Sequence, residues 1–243
     1  MISSISDPEN GPERGNEQQS LEWHEGDMPY STAFGDHFYC RTDGRLECDH
    51  VFLGGNGLPQ RWTRDGAFQI GELGFGTGLN LCETWRQWKE SRTPLGFLSF
   101  TSFELYPMTA QELDRALIRF PQIDAEREAL VALWPDQPKG TIALDLDAQT
   151  RLTVVCGPAL TGIRAQDTTF DAWFLDGFAP ARNPDMWSLE LMQALHAKTS
   201  PDGTFATYAA AGFVRRNLTA SGFQVERRKG FAGKREMLCG TKA

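Results

Sequence analysis

A glycine-rich turn flanked by acidic residues is the feature of this sequence best suited to chemistry. An apolar segment from Phe68 runs to Glu72 and passes into a turn with glycines at positions 74, 76 and 78, after which a helix opens near Asn80. Glycine lets the backbone take a positive φ and approach a ligand closely, and the first N–H groups of a helix are free to face that ligand. We therefore predict a site for a nucleotide-like cofactor. The predicted contacts are Gly71, Glu72, Gly74, Phe75, Gly76, Thr77, Gly78 and Asn80.

The acids near the turn indicate which cofactor fits. The dinucleotide-binding pattern is Gly-x-Gly-x-x-Gly, whereas here the third glycine comes one residue early and Glu72 lies two residues before the first. A second acid, Glu104, ends the next strand-like segment, 96–103. Carboxylates repel a pyrophosphate and attract a cation. S-adenosylmethionine carries a sulfonium and an ammonium but no phosphate, so we predict this cofactor, with Glu104 accepting from both ribose hydroxyls. A glycine turn that binds nothing is the alternative, because such short motifs recur by accident.

Composition limits the class of protein. The chain has 243 residues, of which 40% are hydrophobic, and this suits one α/β domain. No apolar stretch approaches about 20 residues and no basic-then-apolar leader is present, so we expect a cytoplasmic protein with no membrane partner. The five cysteines form no Cys-x-x-Cys pair, which favours reduced thiols over a metal site or a disulfide framework.

Charge is distributed unevenly along the chain. The formal net charge is −8, and residues 1–30 contribute −6 of it, so their polar composition predicts a flexible acidic leader ahead of a single domain over 31–243. Between Arg215 and Arg235 there are seven basic residues and one acid. That cluster is suited to phosphates. A solvated helix face and strand edge is the other interpretation.

Strand and helix patterns alternate beyond residue 65. Short β-like segments at 36–40 and 48–53, with Asp-Gly and Asn-Gly turns, predict a small β-hairpin unit over 31–65. Helices follow most of the later strands, and one of them is predicted to begin at Asn183-Pro184. The last two strands have only a turn between them and can pair antiparallel. The strands are predicted at 68–72, 97–103, 152–156 (with 141–146 as its partner), 172–175, 204–208, 223–227 and 236–239.

This order of elements predicts the fold class. Strands joined by helices give a doubly wound, mostly parallel sheet through right-handed crossovers. We therefore predict an α/β protein with a seven-stranded sheet whose last strand is antiparallel. This is the class I (Rossmann-like) arrangement of S-adenosylmethionine-dependent methyltransferases.

Longer motifs are more specific than the glycine turn. They occupy 50–59, 72–80, 171–187 with Phe-Leu-Asp-Gly-Phe-Ala-Pro, 211–216, and 227–238 with Lys-Arg-Glu-Met-Leu. In these segments the chain resembles the methyltransferase domain of the bacterial bifunctional tRNA 5-methylaminomethyl-2-thiouridine biosynthesis protein (MnmC). The resemblance implies methylation of 5-aminomethyl(-2-thio)uridine at the tRNA wobble position. A flavin oxidase domain follows in the bifunctional protein, and we expect a stand-alone form without it because the sequence ends at Ala243.

The resemblance also implies roles for single residues. Asp176, after the central strand, accepts hydrogen bonds from the target amine and also contacts the cofactor, with a turn former as the alternative. Phe178 stacks on the uracil or belongs to the core. Asn56 and Gly57 are implied to close over the cofactor or the base. Lys234 and Arg235, from the basic cluster, are predicted to contact phosphates.

The chain departs from the family at one position. Gly157-Pro158 stands where the family usually has Gly-Asp beside the adenine amino group. Backbone groups would then have to replace that carboxylate.

Three other functions are open at this point. An S-adenosylmethionine-dependent methyltransferase of a small-molecule amine fits the acidic net charge. A nicotinamide oxidoreductase is disfavoured by the glycine spacing, and a non-catalytic module by the presence of Glu72, Glu104 and Asp176. No metal is expected. A monomer is favoured, although the sequence leaves the oligomeric state open.

Overall fold

A computed structural model describes residues 21–242, which begin with a small antiparallel sheet. Its strands are β1 (Leu21–His24), β2 (Met28–Ser31) and β3 (Asp36–His37), paired in the order β1-β2-β3. β1 and most of β2 fall within residues 1–30, the predicted acidic leader. Residues 1–20 of that leader lie outside the described residues. The division into a leader and a single domain stays a prediction.

This small antiparallel sheet confirms the predicted N-terminal β unit, but the segment that follows it is helical, which corrects the predicted bounds of 31–65. It contains α1 (Gly44–Glu47), a π-helical stretch (Cys48–Leu53) and a 3₁₀ turn (Gln60–Trp62). Asp43 caps α1 by accepting a hydrogen bond from the Leu46 N–H at 3.0 Å, so the Asp-Gly pair starts a helix here. Cys48, Val51 and Phe52 are buried, and their i, i+3, i+4 spacing is that of a helix face.

The main sheet has eight strands, β4 (Gly66–Leu73), β5 (Gly96–Glu104), β6 (Thr141–Asp147), β7 (Thr150–Cys156), β8 (Phe170–Leu175), β9 (Thr199–Thr207), β10 (Phe223–Arg228) and β11 (Met237–Lys242). They are paired in the order β10-β11-β9-β8-β4-β5-β7-β6. Neighbours among β4, β5, β7, β8 and β9 are parallel, whereas β6 and β11 run antiparallel to their neighbours. The class and the antiparallel last strand are confirmed. The count of seven is corrected to eight, because β6 adds to the edge through a short connection to β7.

Six further helices connect these strands. The capping box Thr109/Glu112 opens α3 as the sequence predicts. The helix predicted to begin at Asn183 begins later, because Pro184–Trp187 forms a separate 3₁₀ turn and Ser188 caps the helix. The bounds are α2 (Leu79–Ser91), α3 (Ala110–Leu117), α4 (Asp124–Leu133), α5 (Ala159–Arg164), α6 (Leu189–Ala197) and α7 (Gly212–Ala220).

The core lies on both faces of the main sheet. All four residues 172–175 of β8 are buried, as expected for a central parallel strand. Phe174 packs with Phe52 and Phe100 on one face, and Trp173 packs with Phe103 on the other. Since alternate residues fill both faces, β8 is fixed from both sides. The residue that follows it, Asp176, is thus carried by a rigid strand.

Candidate active site

The three predicted acids lie at one edge of the main sheet. Glu72 is the penultimate residue of β4, Glu104 is the last residue of β5, and Asp176 directly follows β8. These strands are parallel and adjacent in the order β8-β4-β5. Their carboxyl ends therefore meet, at the edge where doubly wound sheets bind ligands.

Asn80 joins two of these acids. Its Nδ2 donates to Glu72 Oε1 at 3.0 Å and to Asp176 Oδ2 at 2.7 Å. Ser102 Oγ donates to the other oxygen of Glu72 at 2.7 Å. Glu72 is fully buried, and this burial raises the pKa of its carboxyl well above the usual value. Through these contacts Glu72 supports the glycine turn from inside the protein. Both hydrogens of the Asn80 amide are donated to carboxylates.

Asp176 is the acid whose ionisation falls near neutral pH. Burial raises the pKa of its carboxyl to about 7, and the neighbouring Glu47 raises it too, while the hydrogen bond from Asn80 and the charge of Lys234 lower it. A group that titrates near the working pH is well matched to accepting a proton. The position of Asp176 at the strand ends and its raised pKa match what a general base requires.

The glycine turn brings backbone close to Asp176. Gly74 has a φ of +80°, and a Cβ there would lie 2.7 Å from the carbonyl oxygen of Asp176. Only glycine fits this position without strain. The turn and the strand end of β8 therefore form one tightly packed unit.

Two predicted cofactor contacts pack against aromatic rings, and a third is buried. A Cβ on Gly71 would lie 2.3 Å from the Trp173 ring, so this glycine makes room for packing. Phe75 is buried and stacks on Trp134, with ring centroids 5.1 Å apart, and Thr77 is buried as well. Packing within the protein thus accounts for Gly71 and Phe75 without a ligand.

Glu104 lies beside the turn and accepts hydrogen bonds from its backbone. Its Oε2 accepts from the Gly76 N–H at 2.9 Å and its Oε1 from the Tyr106 N–H at 2.8 Å. Burial raises the pKa of this carboxyl, and the backbone hydrogen bonds oppose that shift. The Leu105 and Phe75 N–H groups act on the same carboxylate, so a ribose hydroxyl would share its oxygens with the backbone.

Two aromatic residues of the N-terminal segment, Phe34 and Phe38, pack against Phe178 beside the site. Phe178 stacks on Phe34 with ring centroids 4.7 Å apart and meets Phe38 edge-on at 5.1 Å. Asp36 Oδ2 accepts from the Ala179 N–H at 3.1 Å. Phe38 also lies against the turn, because a Cβ on Gly76 would be 3.2 Å from its ring. Sequence reasoning found Phe178 but missed Phe34 and Phe38, for which no spacing signal exists.

Lys234 is also brought to Asp176. Its Nζ pairs with Glu47 Oε1 at 2.7 Å and lies 4.1 Å from the centroid of the Tyr208 ring. The Tyr208 hydroxyl donates to the carbonyl of Gly177. Sequence reasoning missed Tyr208, although its place directly after β9, next to β8, was an available signal.

The other predicted substrate contacts lie elsewhere or point outward. Asn56 is buried, donates to the carbonyls of Phe52 and Trp173 at 2.8 and 3.2 Å, and accepts from the Thr204 hydroxyl at 2.6 Å. The structure therefore does not bring it, or the adjoining Gly57, to the strand ends. Arg235 is exposed and forms no hydrogen bond or ion pair with any residue in 21–242.

Two further findings concern the described part of the chain. No helix within 21–242 has the length and apolar character needed to cross a membrane. In the same range, no group of three or more His, Cys, Asp or Glu side chains is placed to hold a metal ion.

Comparison with known proteins identifies the family. Residues 121–243 match the family model described as S-adenosyl-L-methionine-dependent methyltransferase. The chain belongs to this family. S-adenosylmethionine is therefore the cofactor of this methyltransferase, and the nicotinamide alternative is set aside. The resemblance found in the sequence motifs is confirmed by the relatives described next.

Two curated relatives align with about nine tenths of the sequence of this methyltransferase. It is 42% identical over 226 residues to the tRNA 5-methylaminomethyl-2-thiouridine biosynthesis bifunctional protein MnmC of Chromohalobacter salexigens, covering 90% of this chain and 32% of the relative. The MnmC protein of Azoarcus sp. is 41% identical over 222 residues, covering 91% and 35%. The chain thus spans about a third of the length of these relatives.

A solved structure shows the same fold. The crystal structure of MNMC2 from Aquifex aeolicus matches with a TM-score of 0.73 at 19% identity, and the match covers 93% of this chain and 71% of that chain.

Replacing Glu104 by Ala is expected to weaken S-adenosylmethionine binding by about 1.5–3 kcal/mol, the range for hydrogen bonds to a charged group. The variant loses the acceptors proposed for the ribose and leaves the Gly76 N–H unpaired. Titration calorimetry measures the change. Asp145→Ala, at an exposed carboxylate paired with Arg151 on the far edge of the sheet, is the control and should bind normally. An unchanged dissociation constant for Glu104→Ala would remove Glu104 from the cofactor site.

Proposed function

We propose that this methyltransferase moves the methyl group of S-adenosylmethionine to the amine of 5-aminomethyl(-2-thio)uridine at the tRNA wobble position, giving 5-methylaminomethyl(-2-thio)uridine. The observation that carries the proposal is the identity of 41–42% over nine tenths of this chain to proteins named for the biosynthesis of that nucleoside. N-methylation of an aminomethyl group gives the methylaminomethyl group in one step.

The chemistry requires a free lone pair on the target amine. A primary alkylamine has a pKa near that of lysine, about 10, and is mostly protonated at neutral pH. Asp176 supplies the acceptor for that proton, and its hydrogen bond from Asn80 fixes the carboxylate. Orientation by fixed groups can contribute roughly 7–11 kcal/mol to such a step.

The residues present fit the cofactor. The turn, whose Gly74, Gly76 and Gly78 all have a positive φ, and the Glu104 carboxylate beside it form a cradle for a nucleoside with a cationic tail. S-adenosylmethionine, when bound, supplies a methyl group activated by its sulfonium. Phe178 and Phe34 supply an aromatic surface for the uracil, whose stacking on such rings is worth about 1–3 kcal/mol per base.

Labelled S-adenosylmethionine with tRNA from a strain lacking this activity provides the direct test. Nucleoside analysis should place the label in 5-methylaminomethyl(-2-thio)uridine. Label in another nucleoside, or transfer to free amines but not to tRNA, would contradict the proposal. The second result would restore the small-molecule alternative.

Arg235→Glu is expected to raise the KM for tRNA and to reduce the salt dependence of the reaction. The residue is exposed without an ionic partner in the described chain, and fewer counterions are released on binding when the protein neutralises fewer phosphates. Steady-state kinetics at several salt concentrations measures both effects. Arg151→Glu is the matched control, since it makes the same charge change at an exposed arginine paired with Asp145. Equal loss of activity on an isolated modified nucleoside would assign Arg235 to the active site or to the fold.

A further inference from the structure

The ion pair of Lys234 and Glu47 is built into the fold beside Asp176. Lys234 belongs to the connection between β10 and β11, and Glu47 ends α1. Their charged atoms are 2.7 Å apart, and the Glu47 side chain is only 10% exposed. Such a cation has a specific partner before any substrate arrives.

A second contact fastens the same connection. His50, in the π-helical stretch after α1, donates through Nε2 to the Lys229 carbonyl at 2.8 Å. The Lys234 backbone N–H also donates to the Phe231 carbonyl at 2.9 Å within the connection. The segment is therefore held at two points against 44–53, and the ammonium of Lys234 has a defined partner in Glu47 although 42% of its side chain is exposed.

Tyr208 links this ammonium to the residues at the end of β8. The ammonium lies over the Tyr208 ring at 4.1 Å from its centroid, a favourable cation–π arrangement. The Tyr208 hydroxyl donates to the Gly177 carbonyl, one residue after Asp176. Contacts therefore run from Lys234 through Tyr208 to the backbone that carries the Asp176 carboxylate.

We propose that Lys234, held by Glu47 and Tyr208, is a positioning residue for Asp176 and not a phosphate contact. This rests on the proposed function, which makes Asp176 the acceptor of the amine proton. The neighbouring Arg235 is exposed, as Lys234 is, but it has no ionic partner in 21–242. The two adjacent basic residues thus have different tasks, Lys234 in the chemistry and Arg235 toward the tRNA backbone.

The charges around Asp176 give the sign of the expected effect. Lys234 favours the ionised carboxylate and Glu47 opposes it. Removing Lys234 also leaves Glu47 unpaired, so both changes disfavour ionisation of Asp176. The groups that act on Asp176 or are acted on by it are Glu47, Cys48, Glu72, Asn80, Tyr208 and Lys234.

The test follows the Asp176 carboxyl directly in the full chain. Carbon-13 NMR of aspartate-labelled protein, with the resonance assigned by its loss in Asp176→Asn, gives the titration midpoint without substrate. Lys234→Met should raise the midpoint by about one pH unit or more. Glu47→Gln should lower it, and Lys234→Arg should restore most of the wild-type value. Arg235→Met is the matched control and should leave the midpoint unchanged.

Kinetics provides the second readout. In Lys234→Met the acid limb of the kcat profile should move to higher pH while the KM for tRNA stays constant, and Arg235→Met should show the reverse. An unchanged midpoint in both Lys234→Met and Glu47→Gln, or a raised KM without a shifted limb in Lys234→Met, would overturn the proposal. Absence of tRNA methylation by the wild-type protein would instead refute the proposed function. The NMR titration needs no substrate, so it would still test the effect of Lys234 on Asp176.

Discussion

Asp176→Asn is expected to lower the rate of methyl transfer by roughly 10²–10⁴, the range for a positioned acid–base group. The amide keeps the size and one acceptor oxygen but cannot take a proton from the target amine. Cofactor affinity should change little, because it is assigned to Glu104 and the glycine turn. Single-turnover transfer of labelled methyl to tRNA measures the rate, and calorimetry measures the affinity.

The pH profile separates a base from a turn former. With the pKa of Asp176 raised to about 7 by burial, the wild-type rate should fall as the pH drops through 7. The Asn variant should lack this limb, and raising the pH should partly rescue it, since more amine is then already neutral. A near-wild-type single-turnover rate for Asp176→Asn at neutral pH would return Asp176 to the role of a turn-forming residue.

Asp176→Asn should lower activity but raise the stability of the folded protein at neutral and higher pH. The pKa of Asp176 is higher in the folded protein than the value of about 3.9 for an unfolded chain. The folded state therefore binds the proton more tightly, and stability decreases as the pH rises from about 4 to 7. Asp176→Asn removes this cost, so its melting temperature should exceed that of the wild type at pH 8 by more than at pH 5. Asp145→Asn, at an exposed carboxyl whose pKa Arg151 lowers, should show no such gain.

The strand ends of this site were predictable from the sequence, because they depend only on where apolar segments stop. Glu104 and Asp176 follow buried strands, and parallel strands place their carboxyl ends together. The stretch after Asp43 was mispredicted because an Asp-Gly pair suits both a hairpin turn and a helix start. The spacing of Cys48, Val51 and Phe52 carried the correct signal, and burial of that face decided the outcome.

The remaining parts of the site depend on contacts between distant segments. Lys234 and Glu47 are 187 positions apart, and Phe34 meets Phe178 through a fold of the N-terminal segment. Neither pairing leaves a local pattern in the chain. Asn56 has the opposite outcome: it lies in a motif of the family, but its side chain makes three hydrogen bonds inside the protein. A motif indicates that a residue matters, whereas packing determines what it touches.

Gly74→Ala tests whether the glycine turn positions Asp176 as well as the cofactor. The new Cβ would lie 2.7 Å from the Asp176 carbonyl oxygen, a backbone atom that cannot rotate away. The Gly74 N–H is also held by the Phe103 carbonyl at 2.9 Å, so the turn or the end of β8 must move. A displacement of about 1 Å can cost on the order of 10²-fold in rate. We expect a decrease of at least that size in single-turnover methyl transfer, together with weaker cofactor binding.

A second glycine separates the clash from the backbone strain. Gly140 has a φ of +67°, close to the +80° of Gly74, but a Cβ there would meet no atom within 4 Å. Gly140→Ala should therefore cost only the left-handed strain of about 1–2 kcal/mol, with normal methyl transfer and cofactor affinity. Thermal unfolding of both variants gives the stability difference attributable to the contact with Asp176. If Gly74→Ala were no less stable than Gly140→Ala and kept the wild-type rate, the close approach of the turn to β8 would have no part in placing the carboxylate.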